Sequence, residues 1–470
     1  MLAPRTQRPT LKSLMAVRFV IIGGGPAGAN AATVAARLGA EVTVVERDVI
    51  GGAANLWDCI PSKAMIATGG LMAATGRAEN MGLQPLGAAL DLETLGSRIR
   101  GIETGLSESI SALMESQGIQ VLRGNATLKG PHEVVVEPAD GETQELTAEA
   151  ILVSTGSRPR IPDWAEPIID GRRVLTTRQA YPPPELPGHL VVIGSGVTGV
   201  EFVHMFSSLG SQVTLIVSRQ HVLPQKDAEV AAALEEDFLR RGVNLLKGAR
   251  AAGIDTPGDG VVVHCEDGRS VLGTHALLAV GSIPNSEGLG LDAAGVEVDS
   301  GGYVGVNQHC QTNVPHIYAA GDLSGRLPLA SVAAMQGRKV AEHVMGLHTR
   351  KHRHLDYDKA ASAIFTEPEI ADVGLAEADA FAIGRKIRVT KVPFAANARA
   401  LIDGDARGFV KVVSDPYTGV VLGGSIVGRG AAELISVLAV AVTNNLKVTD
   451  IVESLMVHPA LAEALADAAE

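Results

Sequence analysis

Cysteine, aromatic rings and positive charge are all scarce in this chain. Three cysteines in 470 residues, Cys59, Cys265 and Cys310, are too few and too scattered for a disulfide framework or a zinc site, so a reducing cytoplasm is the expected compartment. With aromatics at 3%, the cores must be filled by Ala, Val and Leu, and 53 glycines supply tight backbone turns. That balance fits α/β proteins with parallel sheets. Forty Lys and Arg face 52 Asp and Glu, and the net charge of −12 repels nucleic acid and anionic membranes, leaving small soluble partners. No apolar run reaches the roughly 18 residues of a membrane helix, so no membrane insertion is expected. Residues 1–12 carry Arg5, Arg8 and Lys12 without the apolar stretch of a secretory signal, and Met15 is an alternative start. The length exceeds one core and implies three or four modules.

The glycines are arranged in two copies of one pattern. Arg18 to Ile22 reads as a strand, followed by Gly23, Gly24, Gly25, Pro26, Ala27 and Gly28, a small-residue helix to about Leu38, and a second strand ending at Glu46. Strand, glycine loop, helix, strand and acidic end is the order of a dinucleotide-binding unit. One glycine permits the turn, the next lets a pyrophosphate reach the helix N-terminus, and the third lets helix and strand pack closely. Glu46 is then placed to accept hydrogen bonds from a ribose. Leu190 to Ile193 with Gly194, Ser195, Gly196, Val197, Thr198 and Gly199 repeats the pattern without a gap. The position equivalent to Glu46 is Val217, followed by Ser218, Arg219 and His221. Without a carboxylate to repel a 2′-phosphate, and with Arg219 to pair with one, this site should accept NADPH. Arg219 as a solvated loop residue, with NADH bound through hydroxyl contacts, is the other possibility; use of both nucleotides, leaning to NADPH, is expected.

Further segments carry a family resemblance over nearly the whole chain. Thr312-Asn313-Val314-Pro315-His316-Ile317-Tyr318-Ala319-Ala320-Gly321-Asp322 and Ile151-Leu152-Val153-Ser154-Thr155-Gly156 resemble signatures of the pyridine-nucleotide-disulfide oxidoreductases, such as lipoamide dehydrogenase and glutathione reductase. The resemblance implies an α/β fold with two Rossmann-like dinucleotide-binding domains and a C-terminal α+β interface domain that forms a homodimer. The implied boundaries are 16–160 and 285–351 for the FAD-binding parts, 161–284 for the NAD(P)H domain and 352–470 for the interface domain. It makes the first nucleotide FAD. Asp322 would bind the ribityl chain, Leu329 and Ala330 would open the helix facing the flavin pyrimidine, and Arg47, Gly52, Ala53, Ala126, Thr155 and Gly156 would line the FAD site. Val200 and Gly281 fall to the nicotinamide side. Lys63 would lie beside flavin N5 paired with Glu201, setting a positive charge where hydride arrives.

One departure decides the expected chemistry. The family's redox loop has two cysteines separated by four residues, whereas this chain reads Ala54-Asn55-Leu56-Trp57-Asp58-Cys59-Ile60-Pro61-Ser62-Lys63. Cys59 matches the flavin-proximal cysteine, and Ala54 replaces the cysteine that attacks a substrate disulfide. Cys265 and Cys310 sit in strand-like contexts without a motif that would make either a substitute. Thiol–disulfide exchange needs an attacking thiolate and a resolving partner. The expected activity is therefore transfer of hydride from NADPH or NADH through FAD to a quinone, as in the branch of NAD(P)H:quinone reductases that this chain resembles. Cys59 tunes the flavin or forms a sulfenate, or else packs as a small apolar group. His458 and Glu463, matching the family's His-Pro-x-x-x-Glu element, either protonate a reduced quinone or form an interface hydrogen bond. His352 and His354 read as linker surface. Soluble transhydrogenase, which Trp57 resembles, and a dihydrolipoamide dehydrogenase-like flavoprotein subunit are the alternatives.

Overall fold

The computed structural model describes residues 16–347, apart from 86 and 139, and residues 354–470. The alternative start at Met15 and the reading of His352 fall outside the described residues. The chain divides into two compact units: one holds the residues up to Gly52 with Ser107–Gly156 and Pro284–Leu355, the other Ala53–Leu106, Ser157–Ile283 and Asp356–Glu470. The helices used below are α1 (Pro26–Arg37), α2 (Ile60–Thr75), α3 (Leu92–Ser116), α4 (Val197–Ser208), α5 (Ala228–Arg240) and α6 (Ala330–Val344).

In the first unit five parallel strands run in the order Ile317–Ala319, Ala150–Val153, Arg18–Ile22, Glu41–Glu46, Gln120–Gly130, and two antiparallel strands extend the last edge. The strands are short and almost wholly apolar because both faces of the sheet are covered. Phe19, Ile21 and Leu152 face one core and Val20, Ile22 and Ile151 the other. The strand Arg18–Ile22 has neighbours reached by connections in opposite directions, so the crevice beyond Ile22 is a topological switch point. Helices α1 and α6 pack backbone to backbone: a Cβ on Gly337 would fall 2.0 Å from the carbonyl oxygen of Ala27.

The second unit repeats this logic in the parallel order Asn244–Lys247, Gln212–Val217, His189–Ile193, His275–Leu278, Val174–Thr176. The same unit ends in an antiparallel five-stranded sheet backed by the helix Ala431–Asn444, with Phe394, Val410, Ile426 and Leu438 in its core. Lys411 is buried there at 2% exposure, and Asp227, Glu229 and Glu377 surround its ammonium. A buried cation persists only when neutralised in this way. Cys265 lies in a strand, as expected, but Cys310 sits in a bend with φ +61, where the backbone turns to pair Gln311 with Tyr318.

Candidate active site

The first glycine loop is shaped by close approach. Gly23 has φ +102, and a Cβ on Gly28 would fall 1.9 Å from the Gly23 carbonyl oxygen, so helix and strand meet there without side chains. At Gly25, the N-cap of α1, a Cβ would meet nothing within 4 Å. No side chain among the described residues caps α1 and no acidic residue lies in its first turn, so its first-turn N–H groups have no side-chain acceptor there. Gly196 at the start of α4 has the same two properties. Helix α6, opened by Leu329 and Ala330, is likewise uncapped and free of acids in its first turn. By contrast, α5 is capped by Asp227, which accepts from the Glu229 N–H at 2.9 Å. Uncapped N-termini fit phosphates and a flavin that gains negative charge.

Glu46 ends its strand 8% exposed, with Oε2 accepting from the Gly24 N–H at 2.7 Å and Oε1 from the Asp48 N–H at 2.8 Å. Its carboxylate thus shapes the loop, and each oxygen keeps accepting capacity for a ribose hydroxyl. Gly52, with φ +61, packs against Gly25, while Arg47 is exposed beside Asp48. Ala126 is buried in its strand; Thr155 and Gly156 are pinned to Asn285, whose backbone N–H donates to Gly156 O at 2.9 Å. Asp322 lies in the turn Gly321–Ser324.

In the second unit Val217 is fully buried, and Ser218, Arg219 and His221 are exposed. The Arg219 guanidinium has no partner among the described residues. Glu235, which the glycine pattern does not reveal, holds this segment: its Oε1 accepts from the Val222 N–H at 2.9 Å and its Oε2 from Lys247 Nζ at 2.6 Å. Val197 is exposed, Val200 is buried, and Gly281 takes φ +95.

Lys63 on α2 and Glu201 on α4 meet at 2.9 Å, with side-chain exposures of 30% and 8%. The other Glu201 oxygen accepts from the Phe365 backbone N–H at 2.9 Å, and the Phe365 ring lies 4.9 Å below the Lys63 ammonium. Phe365 is therefore a third member of this group, which no spacing rule would have located. The segment Ala54–Asp58 forms a single π-helical turn, in which the Cys59 N–H donates to Ala54 O at 3.2 Å. Trp57 stacks against the Arg178 guanidinium at 5.6 Å. Asn55 Nδ2 and Arg178 Nε are buried donors with no acceptor among the described residues. Tyr181, stacked on Phe202, has its phenol pushed well above the usual range by burial and then by Asp58. Ala53 caps the π turn.

His458 Nδ1 and Glu463 Oε1 are 2.8 Å apart, and the Ala460 N–H donates to the other Glu463 oxygen. His458 is 74% exposed, beside the exposed Leu455 and Val457. His354 is exposed, and its ring also packs edge-on against His309, 5.1 Å between centroids.

Two dinucleotide loops, one ending in a carboxylate and one not, together with a lysine–glutamate pair, define a flavoprotein reductase driven by a nicotinamide nucleotide. Residues 17–337 match the pyridine nucleotide-disulphide oxidoreductase family and residues 360–469 its dimerisation domain. The chain belongs to this family, whose members use FAD and NAD(P)H. The NAD(P)H dehydrogenase (quinone) of Mycobacterium tuberculosis H37Rv is 44% identical over 466 residues, 97% of this chain and 94% of that protein. The crystal structure of LpdA from M. tuberculosis superposes with a TM-score of 0.92 at 43% identity, covering 97% of this chain and 99% of that one. Dihydrolipoyl dehydrogenase of Zymomonas mobilis is 33% identical over 453 residues, 95% of this chain and 96% of that protein. No helix among the described residues is long and apolar enough to cross a membrane.

Proposed function

We propose that this enzyme is an NAD(P)H:quinone reductase that passes electrons to its acceptor without a thiol relay. The observation that carries this reading is Ala54. The π turn joins Cys59 N to Ala54 O, so the residue presented beside Cys59 offers a methyl group where a disulfide reductase needs its attacking sulfur. Cys265 and Cys310 are buried, and burial raises the Cys265 thiol further from its reactive form. The name borne by the M. tuberculosis relative agrees with a quinone acceptor.

FAD held by this fold supplies an acceptor for hydride from the nicotinamide and a donor to the quinone. The chain's own residues orient and polarise. The N-termini of α1 and α6 would hold the FAD phosphates and pyrimidine, with Glu46 on the ribose and Asp322 on the ribityl chain; α4, Ser218 and Arg219 would hold the nicotinamide nucleotide. Lys63 keeps a fixed positive charge, and Glu201 with the Phe365 N–H keeps that ammonium in place. NADPH is the preferred donor on this reading, because Arg219 stands exposed, with no partner among the described residues, where Val217 removes the carboxylate. His458 and Glu463 form a proton-donating pair that a second protomer completes. Leu455 and Val457, fully or largely exposed in one chain, support a homodimer. We place the enzyme in the cytoplasm, in keeping with three cysteines that form no disulfide among the described residues.

Steady-state oxidation of NADPH against menadione, lipoamide, glutathione disulfide and oxygen tests the reading. Quinone turnover with no measurable disulfide reduction is expected. Lipoamide turnover matching quinone turnover would refute it.

A further inference from the structure

A cavity of about 370 Å³ in the second unit lies among Arg77, Arg240, Arg241 and Arg407, with Asp237, Glu367 and Asp405 as its acidic groups. Four guanidiniums face three carboxylates in a chain whose net charge is −12. The pairing is uneven. Arg407 is fully engaged, by Asp405 at 2.6 and 2.7 Å, Asp237 at 2.9 Å and Glu367 at 2.7 Å. Asp237 is then shared with Arg240 at 2.6 Å and Arg241 at 3.5 Å, and Glu367 is shared with Arg77. Nε and Nη1 of Arg240, Nε and Nη2 of Arg77 and Nε of Arg241 have no partner among the described residues. Burial lowers the Arg241 guanidinium and drives the adjacent His204 imidazole down to about 3. Histidine therefore adds no charge but accepts from Arg241 at 3.0 Å, holding that guanidinium in place.

The cavity is linked to the same three segments as the Lys63–Glu201 pair, to α2 and the 365–367 segment by its lining and to α4 through Arg241. Helix α2 carries Lys63 and is followed by Arg77; α4 carries Glu201, and one turn later His204, Ser207 and Ser208, all bonded to Arg241. Phe365, whose N–H holds Glu201, lies two residues before Glu367.

We propose that this cavity binds an oxyanion of the phosphate class, free or as the end group of a small metabolite, and that binding adjusts the Lys63–Glu201 pair through α2, α4 and the 365–367 segment. A dianion would take up the unused N–H donors of Arg77, Arg240 and Arg241 and relieve their mutual repulsion. By drawing Arg77 and Arg241 together it would bias the positions of the helices that carry the pair.

The test uses the FAD-loaded protein at constant ionic strength, with NADH as donor so that phosphate does not compete with a 2′-phosphate. Isothermal titration with inorganic phosphate should show one saturable site per chain. The double variant Arg77→Gln, Arg240→Gln should weaken it roughly tenfold to a hundredfold, while Arg240→Lys and Arg219→Gln retain it. Stopped-flow flavin reduction should change roughly fivefold on saturation in wild type and stay constant in the double variant. Thermal unfolding of each variant shows that the fold is intact, since Arg240 is half exposed. Tighter binding of glycerol phosphate than of phosphate identifies a phosphorylated metabolite, and equal binding identifies the free ion; both support the site. The proposal is overturned by the absence of saturable binding, by binding that Arg219→Gln abolishes and the double variant keeps, or by binding that leaves the reduction rate unchanged.

Discussion

On the proposed function, Lys63 carries the positive charge that awaits hydride; its ammonium is held by Glu201 and is 30% exposed. Lys63→Ala should slow stopped-flow reduction of the flavin by NADPH about tenfold to a hundredfold. It also leaves Glu201 with the Phe365 N–H alone, costing about 1–3 kcal/mol, so FAD content has to be measured alongside the rate. Cys59→Ser should change that rate by less than about twofold, since no thiol lies on the route. Arg219→Glu should lower kcat/KM for NADPH roughly tenfold to a hundredfold more than for NADH; equal losses would show that Arg219 does not read the phosphate. His204 makes a separate prediction about acid stability. Its imidazole falls from 6.5 to about 3 in the folded chain through burial, then through Arg241 and Arg407. Between those values the unfolded chain binds the extra proton, so this group's contribution is full above 6.5 and is lost as pH falls, at up to about 1.4 kcal/mol per pH unit. Urea unfolding of His204→Asn, whose amide can still accept from Arg241, should show a flatter acid limb than wild type.

At the scale of elements, the glycines decide what packs. Gly337→Ala places a methyl 2.0 Å from the Ala27 carbonyl, which forces α6 away from α1. The variant should lose FAD and several degrees of Tm, read by flavin absorbance and calorimetry. Ala54→Cys tests the π turn: with Cys59 N bonded to Ala54 O, two sulfurs would face each other across one turn, and a thiol-linked charge-transfer band should appear on reduction. Both glycine loops, their helices and the strand ends at Glu46 and Val217 were legible in the sequence because each position has a steric or electrostatic reason tied to spacing. What was not legible came from distant segments. Phe365 reaches Glu201 from 164 residues away through a backbone N–H, which any residue type could supply. Glu235 braces the Arg219 loop from a neighbouring helix and belongs to no motif. Cys310 was expected in a strand-like context, but its backbone takes φ +61 and forms a bend just before Gln311 bridges to Tyr318.

For the whole molecule the question is how many electrons one chain can hold. A disulfide reductase of this architecture stores two on the flavin and two more on its cysteine pair, whereas the proposed function gives a chain with Ala54 near Cys59, and with Cys265 and Cys310 buried, no second couple. Anaerobic titration of the FAD-loaded protein with dithionite measures this directly. Full reduction at about two electrons per FAD, with no thiolate charge-transfer band on the way, is the predicted result. Uptake of about four electrons per FAD would contradict the account, because it would require a redox-active disulfide in this chain.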